Sequence, residues 1–153
     1  MKKLVILSVL GLFIANMAKS QTAVFFELGG PGLASFNVDT RFTGRNDGIG
    51  GRIGVGGFSI NDEGAVFVPI GLNYLIGKET KHYFEVGAGF TYVNYSSDIN
   101  EDAIFESSFG HLSFGYRMQP RTNGFSFRAA IVPVFNKHGF LPYYAGVSFG
   151  YKF

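Results

Sequence analysis

The chain has no cysteine, which excludes a disulfide framework, a thiolate metal site and a cysteine nucleophile together. It is also poor in charge. Only 16% of its 153 residues are Asp, Glu, Lys or Arg, against roughly a quarter in ordinary globular domains. No apolar run beyond the first twenty residues approaches the roughly 18 that a membrane-spanning helix needs. What is abundant is glycine and aromatic surface: Gly 22, Phe 18 and Tyr 8. That much apolar and aromatic content excludes a disordered chain. Glycine spread along the whole length argues against a helical bundle, since each helix-interior Gly costs about 1 kcal/mol. The length suits one domain, and the composition points to an all-β one.

Residues 1–20 have the form of a cleavable signal peptide. Lys2 and Lys3 give a basic start, Leu4 to Ala15 is apolar, and Ala18 and Ser20 place small residues at −3 and −1 of a cut before Gln21. The apolar run is about a dozen residues, short of the roughly 20 an anchor needs. Loss of Lys2, Lys3 and Lys19 leaves ten basic against eleven acidic residues, a net charge of −1. No basic excess then remains to suggest nucleic-acid binding. Residues 21–153 form the expected domain.

That domain reads as eight segments alternating apolar with small or polar residues, the period of a two-faced strand. They are 22–29, 33–42, 50–59, 65–76, 83–95, 109–118, 125–135 and 143–153. In the last, Tyr143, Ala145, Val147, Phe149, Tyr151 and Phe153 share one face; Tyr144, Gly146, Ser148, Gly150 and Lys152 share the other. Pro69 and Pro133 fall inside two segments, where each removes a ladder donor and predicts a bulge or an end of pairing. The polar face is mostly Gly, Ser, Thr and Asn, but it also carries Glu27, Asp39, Arg41, Arg52, Glu85, Arg117, Arg128 and Lys152. Enclosed in a small rolled sheet, these charges have to pair with one another.

Three features favour the apolar face outward. Strands of about 9–11 residues suit a tilted transmembrane strand. The last strand finishes on Phe153 with aromatics at 149, 151 and 153. The connections alternate between compact turns (43–49, 77–82, 119–124) at one end and 30–32, 60–64, 96–107 and 136–142 at the other, the longest being 96–107, as in barrels with long external loops. The fold class expected is therefore an eight-stranded antiparallel up-and-down transmembrane β-barrel after a signal peptide.

Several stretches resemble the small outer-membrane β-barrel proteins of the Bacteroidetes. They are Phe26-Glu27-Leu28-Gly29-Gly30, Val68 to Lys78, His82 to Gly89, Phe127-Arg128-Ala129-Ala130 and Phe149-Gly150-Tyr151-Lys152-Phe153. The likeness runs over essentially all of 22–153, with an architecture similar to the OmpA and OmpX barrels. It implies an outer-membrane location, lipid as the surrounding partner, and insertion by the barrel-assembly machinery reading Phe149, Tyr151 and Phe153. It transfers no catalytic residue. No peptidoglycan-binding domain follows Phe153, so the tethering role of larger relatives is not expected, and a monomer is.

Eight strands enclose only enough room for side chains, which predicts a packed polar lumen rather than a diffusion pore or gate, and no conductance on the nanosiemens scale. A connection symmetric about 95–107 predicts Glu85 opposite Arg117. Phe42, Tyr74, Phe84, Tyr116, Phe125 and Tyr151 form one expected aromatic girdle, and Phe58, Tyr92, Phe109, Phe135 and Tyr143 the other.

No catalytic residue, cofactor or metal site is expected. His111 and Ser113 share a face but stand about 7 Å apart along a strand, where Ser–His activation needs about 3 Å. His82 and His138 fall in connections. Asp98, Asn100, Glu101, Asp102 and Glu106 make 96–107 acidic, which by default is a solvated loop, with cation binding as the sharper reading. Gly48-Ile49-Gly50-Gly51-Arg52 lacks the spacing and the Lys-Ser/Thr of a phosphate loop.

The leading function is a non-enzymatic barrel with a structural or surface-interaction role at the cell envelope. Two alternatives stand beside it. A lipid-modifying enzyme would need a Ser, a His and a carboxylate to converge at the outer rim, which only His111 and His138 with Glu106 or Asp102 could supply. A secreted lipocalin-like barrel would turn Phe114, Val147 and Phe149 into an apolar cavity.

Overall fold

A computed structural model describes residues 21–60, 63–78, 81–95 and 104–153. The signal-peptide reading of 1–20 and most of the acidic segment 96–107 lie outside these residues. The strands are β1 (Thr22–Gly29), β2 (Ala34–Arg41), β3 (Gly48–Ile60), β4 (Glu63–Ile76), β5 (His82–Tyr95), β6 (Phe109–Met118), β7 (Gly124–Ile131), β8 (Val134–Asn136), β9 (Gly139–Leu141) and β10 (Ala145–Lys152). From β1 to β7 each strand pairs antiparallel with the next, β10 pairs with both β7 and β1, and β8 pairs with β6 and β9, so the sheet closes on itself. The result is an eight-stave up-and-down barrel with a short β8–β9 extension at one end. Among the described residues, closure leaves no long unpaired edge. Among the described residues no helix is long and apolar enough to cross a membrane.

The two prolines act differently. Pro133 ends the β7 ladder, and pairing with β6 resumes through β8 at Gly110 and His111. Two backbone hydrogen bonds span the gap: Leu112 N–H donates to the Pro133 carbonyl (2.9 Å) and Val132 N–H to that of Tyr144 (2.6 Å). The segment expected as a continuous strand over 125–135 is thus broken in two, the strand expected over 143–153 runs unbroken as β10, and part of the expected loop 136–142 is strand. Pro69 causes no bulge. Pairing between β3 and β4 skips Gly54 and Val55 beside it, then resumes in the same register at Gly56–Phe67.

The alternation sorts the side chains cleanly. Val24, Phe36, Ile53, Val55, Ile70, Leu72, Phe90, Phe114, Val147 and Phe149 face outward and are exposed, while Glu27, Asp39, Arg41, Glu85 and Lys152 are buried inside. Phe114, Val147 and Phe149 therefore point away from the interior, opposite to what a lipocalin-like cavity requires. Outward rings pack across neighbouring strands, Phe26 with Phe36 at 5.1 Å and Phe127 with Phe149 at 5.4 Å between centroids.

The end formed by the connections β2–β3, β4–β5 and β6–β7 is called here the turn end, and the opposite one the loop end. At the turn end Phe42, Tyr74, Phe84, Tyr116, Phe125 and Tyr151 are all outward and exposed. At the loop end Tyr92, Phe135 and Tyr143 are exposed too. Phe109 is a correction. It shares strand parity with His111 and Ser113, so it points inward and is buried. Phe58 likewise pairs with inward Ala65 and leans over the mouth toward Phe67 (6.2 Å) and Tyr95 (5.9 Å).

The loop-end half of the interior is apolar. Ala65, Phe67, Val93, Phe109, Ala130, Val132 and Val134 form a buried cluster, and Leu33, Tyr95, Ile104, Phe105 and Tyr144 pack against it. The β1–β2 connection, expected as a short outer loop, instead turns inward as a 3-10 turn with Gly30, Pro31 and Gly32 buried. Left-handed backbone at Gly29 (φ 72°), Gly30 (φ 66°) and Leu33 (φ 58°) makes the reversal. The Pro31 carbonyl accepts a hydrogen bond from Thr91 Oγ1 at 3.1 Å, which holds this turn to the opposite wall.

Candidate functional site

Chemistry-bearing side chains are concentrated in the other half of the lumen. Strand parity sends Glu27 in from β1, Asp39 and Arg41 from β2, Arg52 from β3, Glu85 from β5, Arg117 from β6 and Arg128 from β7. In water such groups repel or solvate; inside a closed wall they have only one another. They form a single chain of alternating sign. Arg52 Nη2 donates to Glu27 Oε2 at 2.5 Å, and Arg128 Nη1 to Glu27 Oε1 at 2.6 Å. Arg128 Nε also reaches Glu85 Oε1 at 2.9 Å. Arg117 links Glu85 Oε2 (3.4 Å) to Asp39 Oδ1 (3.1 Å), and Arg41 Nη2 completes the chain on Asp39 Oδ1 at 2.6 Å.

Neutral groups add further partners, although Arg41 Nε and Arg52 Nε stay buried without a hydrogen bond. Ser148 Oγ donates to Glu27 Oε1 at 3.2 Å, and Asn37 Oδ1 accepts from Arg52 Nη2 at 2.9 Å. Asn73 bridges the other end, its amide donating to Asp39 while its oxygen accepts from Arg41. The Phe25 ring lies 5.3 Å from the Arg52 guanidinium carbon, within cation–π range. Glycines in the wall give these side chains room. A Cβ at Gly50 would overlap the Arg41 guanidinium, and one at Gly54 the Asn37 amide.

Lys152 stands apart from the chain. Its Nζ donates to Asn46 Oδ1 (2.5 Å) and to the carbonyls of Pro120 (3.1 Å), Arg121 (2.9 Å) and Thr122 (2.8 Å). It thereby ties two turns together beneath the turn end.

All eight charged residues singled out in the sequence therefore lie inside the barrel, and seven join one network. The Glu85–Arg117 ion pair is present, but the two are not directly opposite. Glu85 pairs with Gly115 and Tyr83 with Arg117. The connection is not symmetric: β5 runs on to Tyr95, whereas its last pair with β6 is Thr91–Phe109. A shift of two residues preserves facing, so the long Arg117 side chain closes the pair diagonally.

Sequence reasoning placed Asn37, Asn73 and Ser148 on the inward face without assigning them to the network. Thr91 was likewise on the polar face without a role assigned; Phe25 and the inward turn at 30–32 were missed. Parity alone could have found Phe25; nothing local signals the turn.

Phe149 and Tyr151 lie outward on β10, with Tyr151 5.1 Å from Phe153 between ring centroids. The candidate enzyme groups are spread over different places, with Glu106 half-buried in the β5–β6 connection. His111 is buried in the lumen, its Nδ1 3.4 Å from Thr91 Oγ1. His82 Nδ1 bonds the Tyr116 hydroxyl at 2.5 Å, His138 is on the β8–β9 hairpin, and Asp102 lies outside the described residues. Among the described residues no cluster of three or more His, Asp or Glu could hold a metal ion.

The lumen is filled. A void beside Phe25, Arg117 and Arg128 measures about 10 Å³, at the lower limit for a single water. A larger opening of about 730 Å³ lies between the turns, lined by Arg45, Asn46, Asp47, Gly77, Lys78, Tyr83 and Arg121. Chemically, the arrangement suits charge neutralisation and rigid cross-linking of the wall. Comparison of the chain with protein-family models, with curated proteins and with solved structures finds no match.

Proposed function

We propose that the protein is an integral outer-membrane β-barrel, exported by its signal peptide, with a non-enzymatic structural or surface-interaction role at the cell envelope. One observation carries this reading: the distribution of side chains is inside-out. Phe36, Ile53, Leu72 and Phe125 are more than half exposed on the outer wall, while Glu27, Asp39, Arg41 and Glu85 are at 1% or less within. In water that wall would be a contiguous apolar patch far larger than a soluble monomer tolerates. In lipid it is the surface a transmembrane barrel needs, with aromatic residues toward both ends. The outward Phe149, Tyr151 and Phe153 suit a C-terminal strand read by the assembly machinery.

Fractionation and heat modifiability test the proposal. The expected result is recovery with the outer membrane, an N-terminus at Gln21, and faster migration on unheated than on boiled detergent gels. Recovery in the soluble fraction, with one mobility in both conditions, would contradict it.

A further inference from the structure

The turn end is basic. Arg45, Lys78, Lys81 and Arg121 lie on its three connections and are exposed. The one described carboxylate among them, Asp47, accepts from Arg45 Nε at 2.9 Å and Nη2 at 3.1 Å. Glu79 belongs to the same set by sequence and lies outside the described residues, and counting it still leaves four basic residues against two acidic. Each of the four cations is three or four residues from an outward aromatic: Arg45 from Phe42, Lys78 from Tyr74, Lys81 from Phe84, and Arg121 from Phe125. Lys152, held under the turns by three carbonyls and Asn46, adds charge just inside. The loop end has Lys137 as its one exposed cation among the described residues.

Moving outward along the wall at the turn end, apolar surface gives way to rings and then to ammonium and guanidinium groups. A bilayer leaflet presents its own chemistry in the matching order: acyl chains, the interfacial zone where Trp and Tyr collect, then phosphates, which attract Lys and Arg when the lipid is anionic. We propose that the turn end is a docking surface for anionic phospholipid headgroups, with phosphates against Lys78, Lys81 and Arg121 and with the ring belt at the acyl boundary. This rests on the membrane reading above and adds to it a lipid preference and the leaflet that supplies it.

The test uses the full mature chain in vesicles of phosphatidylcholine and phosphatidylglycerol in equal parts. Spin-labelled lipids report which species occupies the protein boundary. Phosphatidylglycerol should be favoured over phosphatidylcholine by about threefold at low salt, and screening should remove most of that preference near molar salt. A Lys78→Gln/Lys81→Gln/Arg121→Gln variant, shown to be folded by its heat-shifted mobility, should lose the preference, and Lys137→Gln should keep it. Equal occupancy by the two lipids, or a preference that survives the triple substitution, overturns the proposal. So does complete competition by inorganic phosphate, which would assign the same cations to a soluble anion. Failure to insert into vesicles of either lipid overturns the membrane reading as well, whereas insertion without preference overturns this proposal alone.

Discussion

Glu27 accepts from Arg52, Arg128 and Ser148 at once, so its removal would leave buried Arg52 with no carboxylate partner and Arg128 with Glu85 alone. Breaking one partner of a buried ionic network costs about 3–5 kcal/mol, because the remaining charge stays desolvated. Glu27→Ala should lower stability by that amount in a reversible urea titration of the vesicle-inserted protein. A loss below about 1 kcal/mol would mean that water reaches the site. Gly30 offers a second test. Its backbone is left-handed, and a Cβ there would lie 2.7 Å from the Glu27 carboxyl carbon. Gly44 has nearly the same φ with nothing within 4 Å. Gly44→Ala should therefore cost only the backbone penalty of about 1–2 kcal/mol, and Gly30→Ala distinctly more in the same titration. Equal costs would show that the inward turn is not packed on Glu27. The charged members of this network were legible in the sequence because parity placed them on one face. The turn at 30–32 was not, because three residues between strands carry no period, and their inward course depends on the apolar end of the lumen built by residues far away in the chain.

At the scale of strands, the alternation located all eight staves but not their interruptions or their mutual offset. Pro133 marked a possible break correctly, whereas Pro69, with the same missing donor, leaves the register intact. The difference lies in the neighbours. Beside Pro69 a long β3 and β4 hold the ladder from both sides, whereas the staves around Pro133 are short and β6 changes partner there. The Glu85–Arg117 offset was out of reach because it depends on how far β5 outruns β6, which the alternation does not encode. Phe109 was assigned to a girdle for being an aromatic near a strand end, although its parity with His111 already placed it inside. Facing can be tested on β10, where Phe149 pairs with Phe26 and Phe127 near mid-strand. Phe149→Arg should destabilise the vesicle-inserted protein by about 2–4 kcal/mol, the cost of a cation on the lipid face near the midplane. A cost near zero would mean that position 149 faces water.

At the scale of the molecule, the lumen divides into an ionic half and an apolar half, both packed with side chains among the described residues. The charges of the ionic half come from six strands, with Asn73 of β4 and Ser148 of β10 joining them, and the loop end is stoppered by Phe67, Phe109, Val132, Val134 and the residues packed on them. Such an interior cross-links the wall from within. The account as a whole rests on which side of the wall meets lipid. The absence of cysteine makes single-site labelling clean: a spin label on Cys introduced in turn at Ala145, Val147, Phe149 and Tyr151, and at Ser148 and Ser126, reads out contact with oxygen dissolved in lipid or with a nickel chelate in water. The account predicts strong oxygen and weak nickel contact at the four odd-numbered positions, with protection from both at the two serines. Nickel contact at Val147 and Phe149 would contradict it.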